Sequence, residues 1–119
     1  MKARPTRRRD ESGLVATEAA LVIPLLVLAA CLAASVVVVL AARVGVLDAS
    51  REAARLAARG ESTAAASAAA RKLAPPQATV RLRDRQHWVE AVVEAKVRPL
   101  RLLPTFTVRA STLAEREDR

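Results

Sequence analysis

The sequence is poor in aromatic residues: its 119 residues include one Trp, one Phe and no Tyr. Nucleic-acid modules read bases through stacked aromatics or a recognisable basic fold. Neither is present, so the formal charge of +8 does not point to DNA or RNA. A single cysteine, Cys31, excludes an internal disulfide. The single histidine, His87, has no Cys or His at metal-ligand spacing and is expected to be a solvated turn residue. One histidine beside a turn supplies no nucleophile–base–acid triad, and no phosphate loop, dinucleotide fingerprint or metal cluster is found. The chain is therefore expected not to be an enzyme, with no catalytic residue, no metal and no cofactor.

Aliphatic residues, by contrast, are abundant and unevenly placed. From Ala19 to Ala42 there are 24 residues without a charge, and Leu14–Thr17 extend that run behind one carboxylate, Glu18. A helix over this stretch is about 36 Å long, against a hydrocarbon core of about 30 Å. So small a chain could not bury such a helix on every side, and residues 14–42 are expected to be a transmembrane helix. Ahead of it, Lys2, Arg4, Arg7, Arg8 and Arg9 place five cations in nine residues, followed by Asp10 and Glu11. Cations before an apolar run hold that end in the cytoplasm. The expectation is a single pass through the cytoplasmic membrane, with an unstructured, basic cytoplasmic leader (1–13) that carries Pro5 and Gly13, and the C-terminal domain outside.

Behind the run the pattern becomes amphipathic. Arg51, Arg55 and Arg59 recur every fourth residue, and Val44, Leu47, Ala54 and Ala58 line another side. One helix is expected over 14–59, closed by Gly60. Ser62 or Thr63 then caps a short alanine-rich helix over 64–73, ended by Pro75 and Pro76; residues 43–73 form an extracytoplasmic helical extension. After Pro76 the period changes to two. Ala78, Val80 and Leu82 alternate with polar residues, Asp84–His87 read as a turn, and Val89–Val97 alternate again. Beyond a linker holding Pro99 and Pro104, Phe106–Ser111 alternate as a returning strand. The fold class is thus α+β: a long N-terminal helix with its extension, a short second helix, then an antiparallel sheet of about three strands (77–113) and a charged, frayed tail (114–119). Trp88 is expected in the core of this thin sheet, and Arg81, Arg83 and Arg85 on its outward side. The strand order is left open.

The junction before the apolar run holds the most specific signal. A basic stretch ends in Gly13, the hydrophobic residues begin at Leu14, and Glu18 stands fifth after the glycine. A secretory signal has a shorter apolar stretch with its cleavage site behind it. A carboxylate inside the edge of an apolar helix is unfavourable by up to about 3 kcal/mol at mid-membrane and less near the edge, so its presence asks for a reason; a place at the headgroup level beside a helix N-terminus is one.

These residues resemble the class III leader of type IV pilins. The string Gly13-Leu-Val-Ala-Thr-Glu-Ala-Ala-Leu-Val-Ile-Pro24-Leu-Leu and the later run Ala49–Gly60 are similar to TadE-like minor pilins and pseudopilins of the tight-adherence (Flp) pilus system. One departure is Ala19, where that family often carries an aromatic. The resemblance implies cleavage by a prepilin peptidase between Gly13 and Leu14. It also implies pairing of the freed Leu14 amine with the Glu18 carboxylate of a neighbouring subunit, and partners among other pilins and the assembly platform. Pro24 is expected to bend the helix, and Ala29/Ala33 and Ala30/Ala34, each pair four apart, to let helices approach closely. The rival expectation is a single-pass anchored adaptor, possible as a lipoprotein because Leu28-Ala-Ala-Cys31 looks like a lipobox; against it, Leu32–Leu40 stay apolar. Thr6-Arg7-Arg8 resembles a twin-arginine signal, but Asp10 and Glu11 stand where apolar residues belong.

Overall fold

A computed structural model describes residues 7–117, with side chains from Asp10 onward. The elements run α1 (Arg7–Ala58), α2 (Thr63–Leu73), β1 (Thr79–Arg85), β2 (Trp88–Val97) and β3 (Phe106–Glu115), which is the α+β order expected of the sequence. They fall into two units, one ending at Ala34 and one beginning at Ser35, and α1 contributes to both.

In the first unit α1 starts at Arg7 and not at Leu14. Residues 7–13, expected to be unstructured, are helical; residues 1–6 of that leader lie outside the described residues. Arginine is a good helix former, and Asp10 in the first turn suits the positive end of the helix dipole. One glycine, Gly13, weakens a helix interior by about 1 kcal/mol, too little to end one this long. The helix also runs through Pro24 without a break.

The second unit is built on the far part of α1. Ala42, Val46, Ala49, Ser50, Ala53, Ala54 and Ala58 are buried there, recurring at helical spacing. Of these, Ala42, Val46, Ala49, Ala53 and Ala54 form one core with Ala91, Val93 and Ala95 of β2 and Val108 and Ala110 of β3. Val44, expected on this stripe, is 56% exposed. It lies two residues before Val46, roughly 200° around the helix, and so faces away. The core is thin, as its composition requires: the largest fully buried side chains are Val46, Val93 and Ser50.

Local chemistry sets the element ends. Gly60 takes φ +85°, its N–H donates to the Ala57 carbonyl (3.1 Å), and the Glu61 N–H donates to that of Leu56 (3.1 Å). This is the left-handed helix stop that glycine adopts without strain. Ser62 then caps α2, its Oγ accepting from the Ala65 N–H at 3.1 Å. α2 buries Ala66 and Ala70 and ends before Pro75. Where α1 passes the end of α2, a Cβ on Gly45 would stand 3.1 Å from the Leu73 carbonyl oxygen and 3.4 Å from Pro75 Cδ.

The sheet is a simple meander in the order β1-β2-β3, both pairs antiparallel. The β1–β2 turn is shorter than expected: Arg85 pairs with Trp88, leaving Gln86 and His87, with Gln86 at φ +25°. Trp88 is not a core residue. It is 49% exposed, because Val89 takes the inner face and a neighbour in a strand points the other way. β3 reaches Glu115, four residues past the expected alternation, and Arg116 and Glu117 behind it are tied down. The Arg116 N–H donates to the His87 carbonyl (2.8 Å), its guanidinium to Asp84 (2.6 Å), and the Glu117 N–H to the Ala58 carbonyl (3.2 Å).

One polar contact crosses the core. Fully buried Ser50 donates or accepts at Thr112 Oγ1 (2.7 Å) and lies 2.8 Å from the Leu47 carbonyl. Removing one partner of a buried pair strands the other, whereas removing both is nearly neutral. Ser50→Ala is therefore expected to destabilise the protein by about 1–3 kcal/mol, and Ser50→Ala with Thr112→Val by clearly less, in denaturant melts of the detergent-solubilised chain. Gly45→Val should lower stability by about 1–3 kcal/mol in the same assay, because its branched side chain meets backbone at Leu73.

Candidate functional site

Gly13 and Leu14 lie within α1, one turn before Glu18. The Thr17 hydroxyl donates to the Gly13 carbonyl at 2.8 Å. A peptidase acting at this bond would have to unwind a helical turn, and the glycine is the residue there that resists unwinding least. No atom lies within 4 Å of where a Gly13 side chain would begin, so the bond is open on that side. Leu14 is 71% exposed, and Glu18, four residues on, shares its side of the helix and is exposed. The structure thus brings Leu14 and Glu18 onto one face.

From Leu21 to Ala34 the helix is largely uncovered by the other described residues. Leu21, Ile23, Leu25 and Leu26 are exposed, as are Ala29, Ala30, Ala33 and Ala34. Each alanine pair occupies one face by its spacing of four. Cys31, in the same stretch, is partly covered. Among the described residues α1 is the one helix long and apolar enough to cross a membrane. Pro24 leaves the Ala20 carbonyl without its usual backbone donor, as a proline in any helix does.

The other exposed surface of note is the outer face of the sheet. Arg81, Arg83 and Arg85 lie there, as the alternation of β1 requires. Arg109 of β3 and Glu94 of β2 join Arg81 and Arg83 around a hollow of about 50 Å³. Val92 forms its floor and is only 5% exposed although it belongs to the outer face. Long arginine stems cover it. The sequence reading missed Arg109 and Val92; the strand period held the signal, since both share the parity of the outward residues. Among the described residues no three His, Cys, Asp or Glu side chains gather as a metal site would need.

No family model and no solved structure matches the chain. Over 100 residues it is 40% identical to a Mycobacterium tuberculosis (strain ATCC 25618 / H37Rv) protein named apoptosis inhibitor Rv3655c, a match covering 84% of this chain and 77% of that one. The chain belongs to the Rv3655c family. A match of 100 residues within 119 takes in residues 20–100 wherever it starts. The match therefore spans most of the apolar run, the rest of α1, α2 and the first hairpin of this chain.

The apolar run makes a direct prediction. Leu25 is 65% exposed in the middle of the run, and replacing it with Glu exchanges a favourable residue for a charge, about 3 kcal/mol on insertion scales. Leu25→Glu is expected to raise the carbonate-extractable fraction of the protein in cell membranes by roughly tenfold or more. Leu113→Glu, at a 64% exposed position on the sheet, should leave it unchanged. Equal extraction of both variants and the parent would show that the run is not the anchor.

Proposed function

We propose that the chain is a TadE-like minor pilin or pseudopilin: a non-enzymatic membrane subunit that takes part in assembling a tight-adherence pilus after removal of residues 1–13. The observation that carries this reading is the Gly13–Leu14 junction with Glu18 one turn on, at the start of an uncovered apolar helix. A plain anchor has no use for that glycine or that carboxylate. In the proposed assembly the α-amine freed at Leu14 meets Glu18 of a neighbouring subunit. At 4 Å such a pair is worth about 1 kcal/mol in water and about 4 kcal/mol at an effective dielectric of 20, so a helix bundle strengthens it. The alanine pairs let those helices approach, and the domain stays on the far side of the membrane from the peptidase site.

A second reading is favoured by one observation, the name of the tuberculosis relative: an inhibitor of apoptosis. A third is the membrane-anchored adaptor that never enters a fibre. One experiment separates the pilin reading from the other two. The chain is isolated from membranes of cells carrying the matching prepilin peptidase, and its intact mass and N-terminal sequence are measured. The pilin reading expects a chain beginning at Leu14, cleavage lost in Gly13→Leu, and Glu18→Ala that is still cleaved but absent from sheared fibres. A chain that keeps residues 1–13, or begins at a lipid-modified Cys31, sinks it. Wild-type fibre incorporation of Glu18→Ala removes the carboxylate's role.

A further inference from the structure

The sheet has two edges, and they differ. On β3 the inward Val108 and Ala110 are buried, and the outward row from Thr107 to Glu115 mixes one cation, Arg109, with one anion. β1 is the other edge, paired with β2 alone. Its outward residues are Thr79, Arg81, Arg83 and Arg85, all exposed. Among the described residues none of these three arginines takes part in an ion pair or a side-chain hydrogen bond. On the inward face Val80 and Leu82 pack against the core yet stay partly exposed, although α2 lies against this strand.

An edge strand offers a row of backbone N–H and C=O groups to any strand that can lie beside it. Side chains decide which strand can. Arg81, Arg83 and Arg85 stand roughly 7 Å apart on one face, the repeat of alternate residues in any strand. A second copy of β1 is the wrong neighbour. In an antiparallel pair its arginines would face these, and like charges directly opposite are unfavourable. A strand with acidic residues at alternate positions is the right one. Its carboxylates would fall opposite the guanidiniums, and the residues between would fall on the face of Val80 and Leu82. Apolar residues there would complete the cover that this edge lacks. Charge along an edge also guards against aggregation, and that accounts for the arginines. It does not account for the aliphatic pair left partly exposed on the other face.

We propose that β1 is a docking edge for an acidic β-strand. The partner is an extended segment of another protein, with Asp or Glu at alternate positions and apolar residues between. It joins the sheet beside β1 and extends it to four strands. Main-chain hydrogen bonds hold it, and the arginine row sets its register. This edge belongs to the second unit alone and does not depend on what α1 does before Ser35.

The full chain in detergent is titrated into a fluorescently labelled seven-residue peptide that alternates glutamate with valine, and anisotropy is read at low ionic strength. This peptide should bind roughly tenfold more tightly than one of the same composition with its glutamates in a single block. Methylating its backbone nitrogens one at a time should weaken binding at every second position and leave the others within about twofold, because a strand turns alternate N–H groups toward its neighbour. Arg81→Glu with Arg85→Glu should lower the affinity about tenfold. Those two positions face Val92 and Trp88 across β2, so no carboxylate is set against the new ones and the fold should stand. A peptide alternating lysine with valine should bind that variant more tightly than the parent. Equal affinity for the alternating and block peptides, or methylation effects that ignore position, overturns strand addition. Parental affinity in the double variant overturns the arginine row as the seat, and the proposal with it. A chain that binds none of the peptides also overturns it; if that chain self-associates and the double variant separates it, the occupant of the edge is a second copy.

Discussion

A single helix has to satisfy two surroundings. From Leu14 to Ala34, α1 presents large aliphatic side chains that nothing in the chain covers. From Ser35 onward the same helix turns a stripe of small residues to a sheet. The change in side-chain size follows from the change in neighbour. Against lipid a leucine keeps its full contact with an apolar solvent. Against a sheet of Val and Ala, a small residue lets the two backbones approach and fills the interior to the density of a protein core. Among the described residues, six of the 15 buried apolar ones belong to α1, so the small domain has no complete core without the helix that carries it.

That dependence explains the polar stitches. A core of alanines and valines yields little burial energy per residue, and its register is weakly specified by shape alone. Ser50 and Thr112 fix the helix against β3 through one directional contact inside the core. At the other end the Arg116–Asp84 ion pair and the Glu117–Ala58 hydrogen bond join the two residues behind β3 to β1 and to the end of α1. The ion pair is exposed and adds little by itself. Its value is geometric, since it closes the sheet on the side where the hairpin turn has only two residues.

Much of the fold was legible because its signals are local. The stop at Gly60, the cap at Ser62 and the alternation of β1 and β2 each depend on a few neighbouring residues. The misreadings arose where a longer rule applied. Trp88 was assigned by its size, yet the parity set by Val89 sends it outward. Val44 was assigned by its polarity, yet the angle set by Val46 turns it away. A basic leader with Pro5 and Gly13 reads as irregular, although its arginines and an early Asp10 favour a helix from Arg7. The anchoring of Arg116 and Glu117 could not be read at all, since it joins residues 32 and 59 positions apart. Of the site, the spacing of Gly13, Leu14 and Glu18 was legible as a pattern. Which residues meet around the outer hollow was not, because that depends on the pairing of three strands whose order the sequence leaves open.

The spacing of the site also constrains what it could assemble. Leu14 and Glu18 lie one turn apart, so the backbone nitrogen at 14 and the carboxylate-bearing residue are offset along α1 by about 6 Å. Chains inserted in one membrane by the same rule have parallel helices. Two parallel helices related by a two-fold axis have no axial stagger, and neither amine would then stand level with the partner's carboxylate. On the proposed reading, the pairing is met when each helix is displaced by about one turn relative to its neighbour. That contact is head-to-tail: each subunit uses its amine toward one neighbour and its Glu18 toward another. A heterologous contact with an axial step does not close into a ring but continues as a filament. The distance between two residues on one helix face thus favours a fibre over a dimer. It also gives Glu18 a role that a carboxylate merely tolerated at the membrane edge would not need.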